Sequence, residues 1–210
     1  MKLYLLPPSE GKKPWWAQKP MHRFFQLPIP TSLAKKATPK DLKCSGKRYE
    51  EAVQLNKQLL NAPVLPSMER YTGVLYTALW YGTLGVHQQK WIETHVLIVS
   101  GMFWLVHPTD ALPNYKLPIE TIWVRVYWYP RLTRALLTYI NKQQITEIVD
   151  LLPWVYQRVI DWKLIEQAGI IHTIPTLTYD KKATHTMKLL RWTWLREECI
   201  NAAPDKFSGI

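Results

Sequence analysis

Apolar positions in this chain come in short runs cut by prolines and polar turns. Lys2–Leu6 is apolar after its first residue and is closed by Pro7-Pro8, which predicts a short buried strand. His95–Val99 and Ile145–Leu151 repeat that pattern and predict two more strands, the latter ended by Pro153. Residues 13–32 hold Pro14, Pro20, Pro28 and Pro30 and predict an irregular arm. Leu33–Leu42 predicts a short helix interrupted at Thr38-Pro39, followed by a turn through Lys43-Cys44-Ser45-Gly46-Lys47. Arg48–Leu60 lines up Tyr49, Ala52, Val53 and Leu59/Leu60 along one stripe, and Arg131–Lys142 does so through Leu132, Ala135, Leu136, Tyr139 and Ile140. Both predict amphipathic helices. Ile170–Tyr179 and Ala183–Met187 flank Asp180-Lys181-Lys182, a hairpin signature, and Lys188–Asn201 predicts a closing helix. Strands alternating with helices, without a regular repeat, predict one mixed α/β (α+β) domain over residues 1–210.

Composition narrows the function classes. The 210 residues are 47% hydrophobic and 20% charged, a globular balance. Cys44 and Cys199 sit in no metal-binding spacing and allow at most one disulfide. The longest apolar run, Val96–Val106, is shorter than the roughly 20 residues a bilayer span needs. The first residues lack a secretory pattern, so a cytoplasmic protein is expected. The six histidines form no HExxH or HxH, and neither a metal site nor a cofactor is expected.

Charge changes the picture more. The net charge is +11, and residues 1–70 alone carry 13 Lys/Arg against 5 Asp/Glu. A solvated basic surface and a face for phosphates both account for that bias. Leu42–Tyr49, set between two short helices, has the layout of a helix-hairpin-helix spanning about residues 33–60. Backbone N–H groups of such a hairpin, with flanking cations, hold phosphates without reading sequence. The candidate carriers are Lys43, Ser45, Gly46, Lys47 and Arg48, helped by Lys35, Lys36 and Lys40. An ordinary αα-turn with solvated lysines is the plain alternative.

Other polar residues cluster where strands end. Ser9, Glu10 and Lys12 follow the first strand, and crevices form beyond strand ends. The segment lacks the GxxxxGK[ST] pattern of a P-loop. Arg70, Tyr71 and Tyr76 lie in one segment, Ser100 ends a strand, and Tyr115-Lys116 follow in a loop. Lys188 and Arg191, three apart, share a helix face.

Taken in order, these segments resemble the YaaA family of peroxide stress proteins. Pro7-Pro8-Ser9-Glu10-Gly11-Lys12 matches one N-terminal form of that family, and Arg70–Tyr76 matches its RYTGVLY segment. Val99-Ser100-Gly101 through Pro108, then Pro113–Leu117, match its SGLxGxxxPxDxxxxYRL stretch; Tyr127-Trp128 stands for Phe-Trp; His185, Lys188 and Arg191 match its late SHMAKxxRG. The chain departs from the pattern at Leu105 and Trp192, where the family has glycine, and at Pro153, where it has serine. The resemblance implies a mixed α/β fold with a positively charged cleft and a helix-hairpin-helix, binding to double-stranded DNA, and protection against peroxide damage linked to limiting free iron. It implies no established reaction. Two readings follow. The first is a DNA-binding stress protein without catalysis. The second is an enzyme on a nucleotide, nucleobase or other small anionic substrate. Its pocket would gather Ser9, Lys12, Arg70, Tyr71, Tyr76, Ser100, Tyr115, Lys116 and Arg191, with Glu10 and Lys188 as catalytic groups.

Overall fold

A computed structural model describes residues 1–14, 21–26, 28–176 and 184–204, with the backbone alone for 184–188. In chain order the described elements are β1 (Lys2–Leu6), α1 (Thr31–Lys35), α2 (Pro39–Leu42), α3 (Gly46–Lys57), β2 (Val64–Pro66), α4 (Ser67–Arg70), α5 (Val74–Leu79), α6 (Val86–His95), β3 (Val96–Ser100), β4 (Trp104–Val106), β5 (Ala111–Pro113), α7 (Ile122–Gln143), β6 (Glu147–Asp150), α8 (Trp154–Gln157), α9 (Trp162–Gln167), β7 (Ile171–Thr173) and α10 (Thr184–Ala202).

β1 is the hub. The five-stranded sheet runs β4-β3-β1-β6-β7, and β1 pairs in parallel with both β3 and β6. β7 continues the parallel set, while β4 folds back antiparallel on β3. Strands covered on both faces read as unbroken apolar runs, which is why Leu3–Leu6 and Val96–Val99 are legible in the sequence. The sheet order runs out from β1 in both directions. Parallel pairing therefore brings the carboxyl ends of β1, β3 and β6 to one edge, where ligand crevices of such sheets form. Asp150 pins the chain leaving β6: its carboxylate accepts from Leu152 N at 2.8 Å and Gln157 Nε2 at 2.9 Å, and faces His172 Nε2 at 3.2 Å.

Large aromatics fill the core. Trp104 and Trp128 stack at 5.0 Å with both rings buried. Trp192, at a position where the family pattern has glycine, packs its buried ring 4.6 Å from Tyr76. Counted along SGLxGxxxPxD from Ser100, the other glycine position is Trp104 rather than Leu105, and Trp104 is buried with a left-handed φ of 51°. Both departures from the pattern are absorbed by the core. α10 lies against α5 and α6, and β2 pairs antiparallel with β5.

Several predicted boundaries move. α7 begins at Ile122 rather than Arg131 and runs through Pro130. Val126 and Pro130 are exposed, so the carbonyl that Pro130 leaves without an N–H donor lies on the solvent side of the helix. The predicted hairpin near residue 180 is corrected. Thr184–Met187 form the start of α10, and β7 pairs with β6. Asp180-Lys181-Lys182 lie outside the described residues. In the arm, His22 bridges Ala111, and Phe24 N donates to Asp110 Oδ1 at 2.7 Å.

Candidate functional site

The loop leaving β1 is zipped onto the segment after α4. Thr72 N donates to Gly11 O and Lys13 N to Arg70 O, each at 2.9 Å, and Lys12 bridges Tyr71 antiparallel. The Ser9 hydroxyl donates to Thr72 O, and Tyr76 Oη donates to Pro7 O at 3.0 Å. The approach is close: a Cβ on Gly11 would lie 2.8 Å from Thr72 Oγ1. Gly73 also needs its positive φ of 104°.

Side chains alternate along an extended segment, so the zipper turns Lys12 inward while Lys13 stays exposed. Lys12 Nζ donates to Ser9 O at 3.1 Å and Glu10 O at 3.3 Å, and stands 4.3 Å from the centroid of the Tyr115 ring. Burial, reinforced by the nearby Lys116 charge, pushes the Lys12 ammonium down to about 7.

Behind that ring lies a buried hydroxyl chain. Tyr115 Oη is 2.7 Å from both Tyr71 Oη and Ser100 Oγ. Ser100 Oγ accepts from Met102 N and Phe103 N, each at 3.2 Å. Those two donors occupy its lone pairs, so Ser100 gives its proton to Tyr115, and the Tyr115–Tyr71 hydrogen bond extends the chain. Burial pushes Tyr115 up to about 12 and Tyr71 and Tyr76 well above the ordinary phenol value. All three are neutral hydrogen-bonding groups at neutral pH.

The opposite wall comes from the hairpin region. Asn56, fully buried on α3, clamps the Lys116 backbone: its Nδ2 donates to Lys116 O at 2.8 Å and its Oδ1 accepts from Lys116 N at 3.1 Å. Thr121 Oγ1 donates to Asp41 O at 2.6 Å, and Lys43 Nζ pairs with Glu120 Oε1 at 3.1 Å. Lys116 Nζ pairs with Glu10, whose carboxylate it holds below the usual range, so Glu10 stays ionised. Two cavities of about 230 and 310 Å³ result. They share Glu10, Lys12, Lys43, Tyr115 and Lys116, and Arg48 lines the larger.

The hairpin itself is built by capping. Thr38 and Asp41 form a capping box on α2: Thr38 N donates to Asp41 Oδ2 at 2.8 Å and Asp41 N to Thr38 Oγ1 at 3.3 Å. Lys43 closes α2 in the left-handed region at φ 51°, and Gly46 opens α3 at φ 55°. A Cβ at Gly46 would meet nothing within 4 Å, so this glycine serves conformation and the tip is open. Lys35, Lys36, Lys40, Lys43, Ser45, Lys47 and Arg48 are all exposed.

The site residues expected from sequence thus divide. Ser9, Glu10, Lys12, Tyr115 and Lys116 come together at the cavities, with Tyr71 and Ser100 behind Tyr115. Arg70 lines neither cavity and is committed to backbone: Nε donates to Leu112 O at 3.0 Å, Nη2 to Pro63 O at 3.1 Å and Nη1 to Lys13 O, tying the β2–β5 ribbon to the β1 loop. Arg191 Nη1 donates to the carbonyls of Leu151 and Leu152 at 3.3 Å, beyond the end of β6, and lines neither cavity. The Lys188 side chain lies outside the described residues. Sequence reasoning missed Asn56 and Glu120. The signal for Asn56 was its place four residues after Ala52 on the apolar stripe of α3.

A family model described as Peroxide stress protein YaaA matches residues 3–190. The chain is similar to UPF0246 proteins of Corynebacterium glutamicum (32% identical, 55% of this chain and 50% of that one) and Streptomyces coelicolor (33%, 54% and 49%). A UPF0246 protein of Finegoldia magna is 25% identical over 61% of this chain and 50% of its own length. The chain spans about half the length of the curated relatives it matches.

Proposed function

We propose that this chain, which belongs to the YaaA family of peroxide stress proteins, is a cytoplasmic protein of the peroxide response that binds duplex DNA by its phosphates. The α2–α3 hairpin is the helix-hairpin-helix clamp in this reading, and the ground between it and the β1 loop is the basic cleft. The observation that carries it is the set of exposed cations Lys35, Lys36, Lys40, Lys43, Lys47 and Arg48 on one short helical unit, with an open glycine at its tip. Such contacts position a duplex and carry no sequence information. Among the described residues, no helix is long and apolar enough to cross a membrane.

A titration of duplex affinity against salt tests this. Replacing Lys43, Lys47 and Arg48 by Ala removes about three phosphate contacts. The slope of log K against log salt should flatten by roughly 2.7, at about 0.9 per contact, on every duplex sequence tried. An unchanged slope overturns the hairpin as the clamp.

The Lys12 recess supports a second reading, an enzyme acting on a nucleotide, nucleobase or other small anionic substrate. Its lining mixes cations with the carboxylates of Glu10, Glu51 and Glu120, more chemistry than phosphate backbone contacts require.

A further inference from the structure

We propose that Lys12 is an amine nucleophile that captures the aldehyde of a phosphate-bearing deoxyribose as an imine, within the recess beside the hairpin. For an aldehyde carried in a duplex, this rests on the duplex-binding reading above.

Position singles out Lys12. Lys12 lines both cavities, whereas Lys13 is exposed and lines a different hollow, beside Thr72 and Tyr76. The two carbonyls it contacts, of Ser9 and Glu10, match the two N–H bonds of a neutral amine and leave its lone pair over. The groups facing it are Glu10, Lys116 and Arg70 as charges and the Tyr115 and Tyr71 rings, 4.3 and 5.8 Å from Nζ. Desolvation there leaves a sizeable neutral fraction at physiological pH, which nucleophilic lysines require. The neighbours fit the ligand. Lys43 lines both cavities, and Lys116 and Arg48 stand along the walls, so an aldehyde reaching Lys12 would carry its phosphates past three cations. Loss of a damaged base leaves such an aldehyde, C1′ of the ring-opened sugar, between two phosphates. The same chemistry exists free as 2-deoxyribose 5-phosphate.

The step balances without an oxidant or reductant. The Nζ lone pair forms a bond to C1′ as the C=O π pair moves to oxygen, and one proton passes from nitrogen to that oxygen to give a carbinolamine. The second nitrogen proton passes to the hydroxyl as the C–O bond breaks, water leaves, and a C=N bond remains on Lys12. Hydrolysis reverses the sequence.

Borohydride trapping tests it on the full chain. The protein is mixed with a duplex bearing one abasic site, with the intact duplex, or with 2-deoxyribose 5-phosphate, then reduced and mapped by peptide mass. Binding of the intact duplex is measured in parallel. The expected result is an adduct on Lys12 with the abasic duplex, at least about tenfold above Lys12→Arg, which keeps the cation but forms no imine. Lys12→Met repeats the comparison, and both variants must keep the parent's thermal midpoint. An adduct with the free sugar phosphate alone keeps the nucleophile and assigns the small ligand. If the intact duplex binds and no aldehyde is trapped, the nucleophile is overturned while the duplex reading stands. If the sugar phosphate is trapped and no duplex binds, the duplex reading falls and the nucleophile stands. Trapping that persists at full level in Lys12→Arg, or maps to another lysine, overturns the inference.

Discussion

The hairpin between α2 and α3 and the loop after β1 both present lysines, and they do so in opposite ways. Hairpin cations such as Lys47 and Arg48 point to solvent from a tip with open space around it. Lys12 is folded back over Tyr115 between two backbone carbonyls. Solvated cations release counterions when they meet phosphate and bind any duplex. A desolvated amine contributes little to such attraction and gains reactivity instead. The two regions adjoin, because Asn56, Thr121 and the Lys43–Glu120 pair dock the hairpin onto the loop that carries Tyr115 and Lys116. One stretch of surface therefore offers both capture by charge and a chemically distinct pocket.

The comparison breaks most visibly on the hairpin side. Lys43→Ala, Lys47→Ala and Arg48→Ala together should weaken duplex binding about 500-fold at about 0.1 M salt, three contacts at about 0.9 each on the log–log scale. Fluorescence anisotropy with two unrelated duplexes reads this, and a loss confined to one sequence would contradict phosphate-only contact.

Asn56 belongs to both regions, so its loss should hurt both. Asn56→Ala removes both partners of the part-buried N–H and C=O of Lys116 and should cost about 2 kcal/mol. That corresponds to a fall of about 4–8 °C in Tm for a chain of this size, read by calorimetry. A Tm within a degree or so of the parent would mean that the clamp does not hold the loop.

Stability against pH sharpens the Lys12 side. Its pKa in the fold is lowered to about 7 from the ordinary 10.5, so between those values the unfolded chain binds more protons than the folded one. Stability should therefore rise with pH across that window, and Lys12→Met should flatten the rise. Parallel curves for parent and variant in urea melts at pH 7 and 9.5 would contradict the desolvated ammonium.

The smallest effect is at Glu10. Glu10→Gln removes one repelling charge near the hairpin and frees Lys116, so duplex affinity should tighten by about twofold at most. A marked loss would give Glu10 a role in the duplex contact that its charge alone does not explain.

How much of this was legible in the sequence differs by region. β1 and β3 were legible because Leu3–Leu6 and Val96–Val99 are unbroken apolar runs, bounded by Lys2 and Pro7-Pro8 in one case and by His95 and Ser100 in the other. The turn between α2 and α3 was legible because Thr38-Pro39 and Ser45-Gly46 are local signals. The start of α7 was not, because a proline reads as a helix end unless it is known that its side of the helix faces water. The hairpin expected near residue 180 failed because turn residues say nothing of what the next segment packs against, here a long closing helix. Composition and periodicity do not separate Lys12 from Lys13; the family motif that ends at Lys12 does, and the bridge to Tyr71 shows the physical reason one turns inward. Arg70 reads as an anion ligand until the fold surrounds it with the carbonyls of Leu112, Pro63 and Lys13. Those partners are far from it or unremarkable in the chain, so no spacing rule finds them.

Lys12 differs in kind from the cations around it, and lysine-selective NMR addresses that difference directly. Following the ¹³Cε resonances of the full chain through a pH titration, the account predicts one lysine with a midpoint of about 7 that disappears in Lys12→Arg. A spectrum in which no lysine titrates below about pH 9 would contradict it.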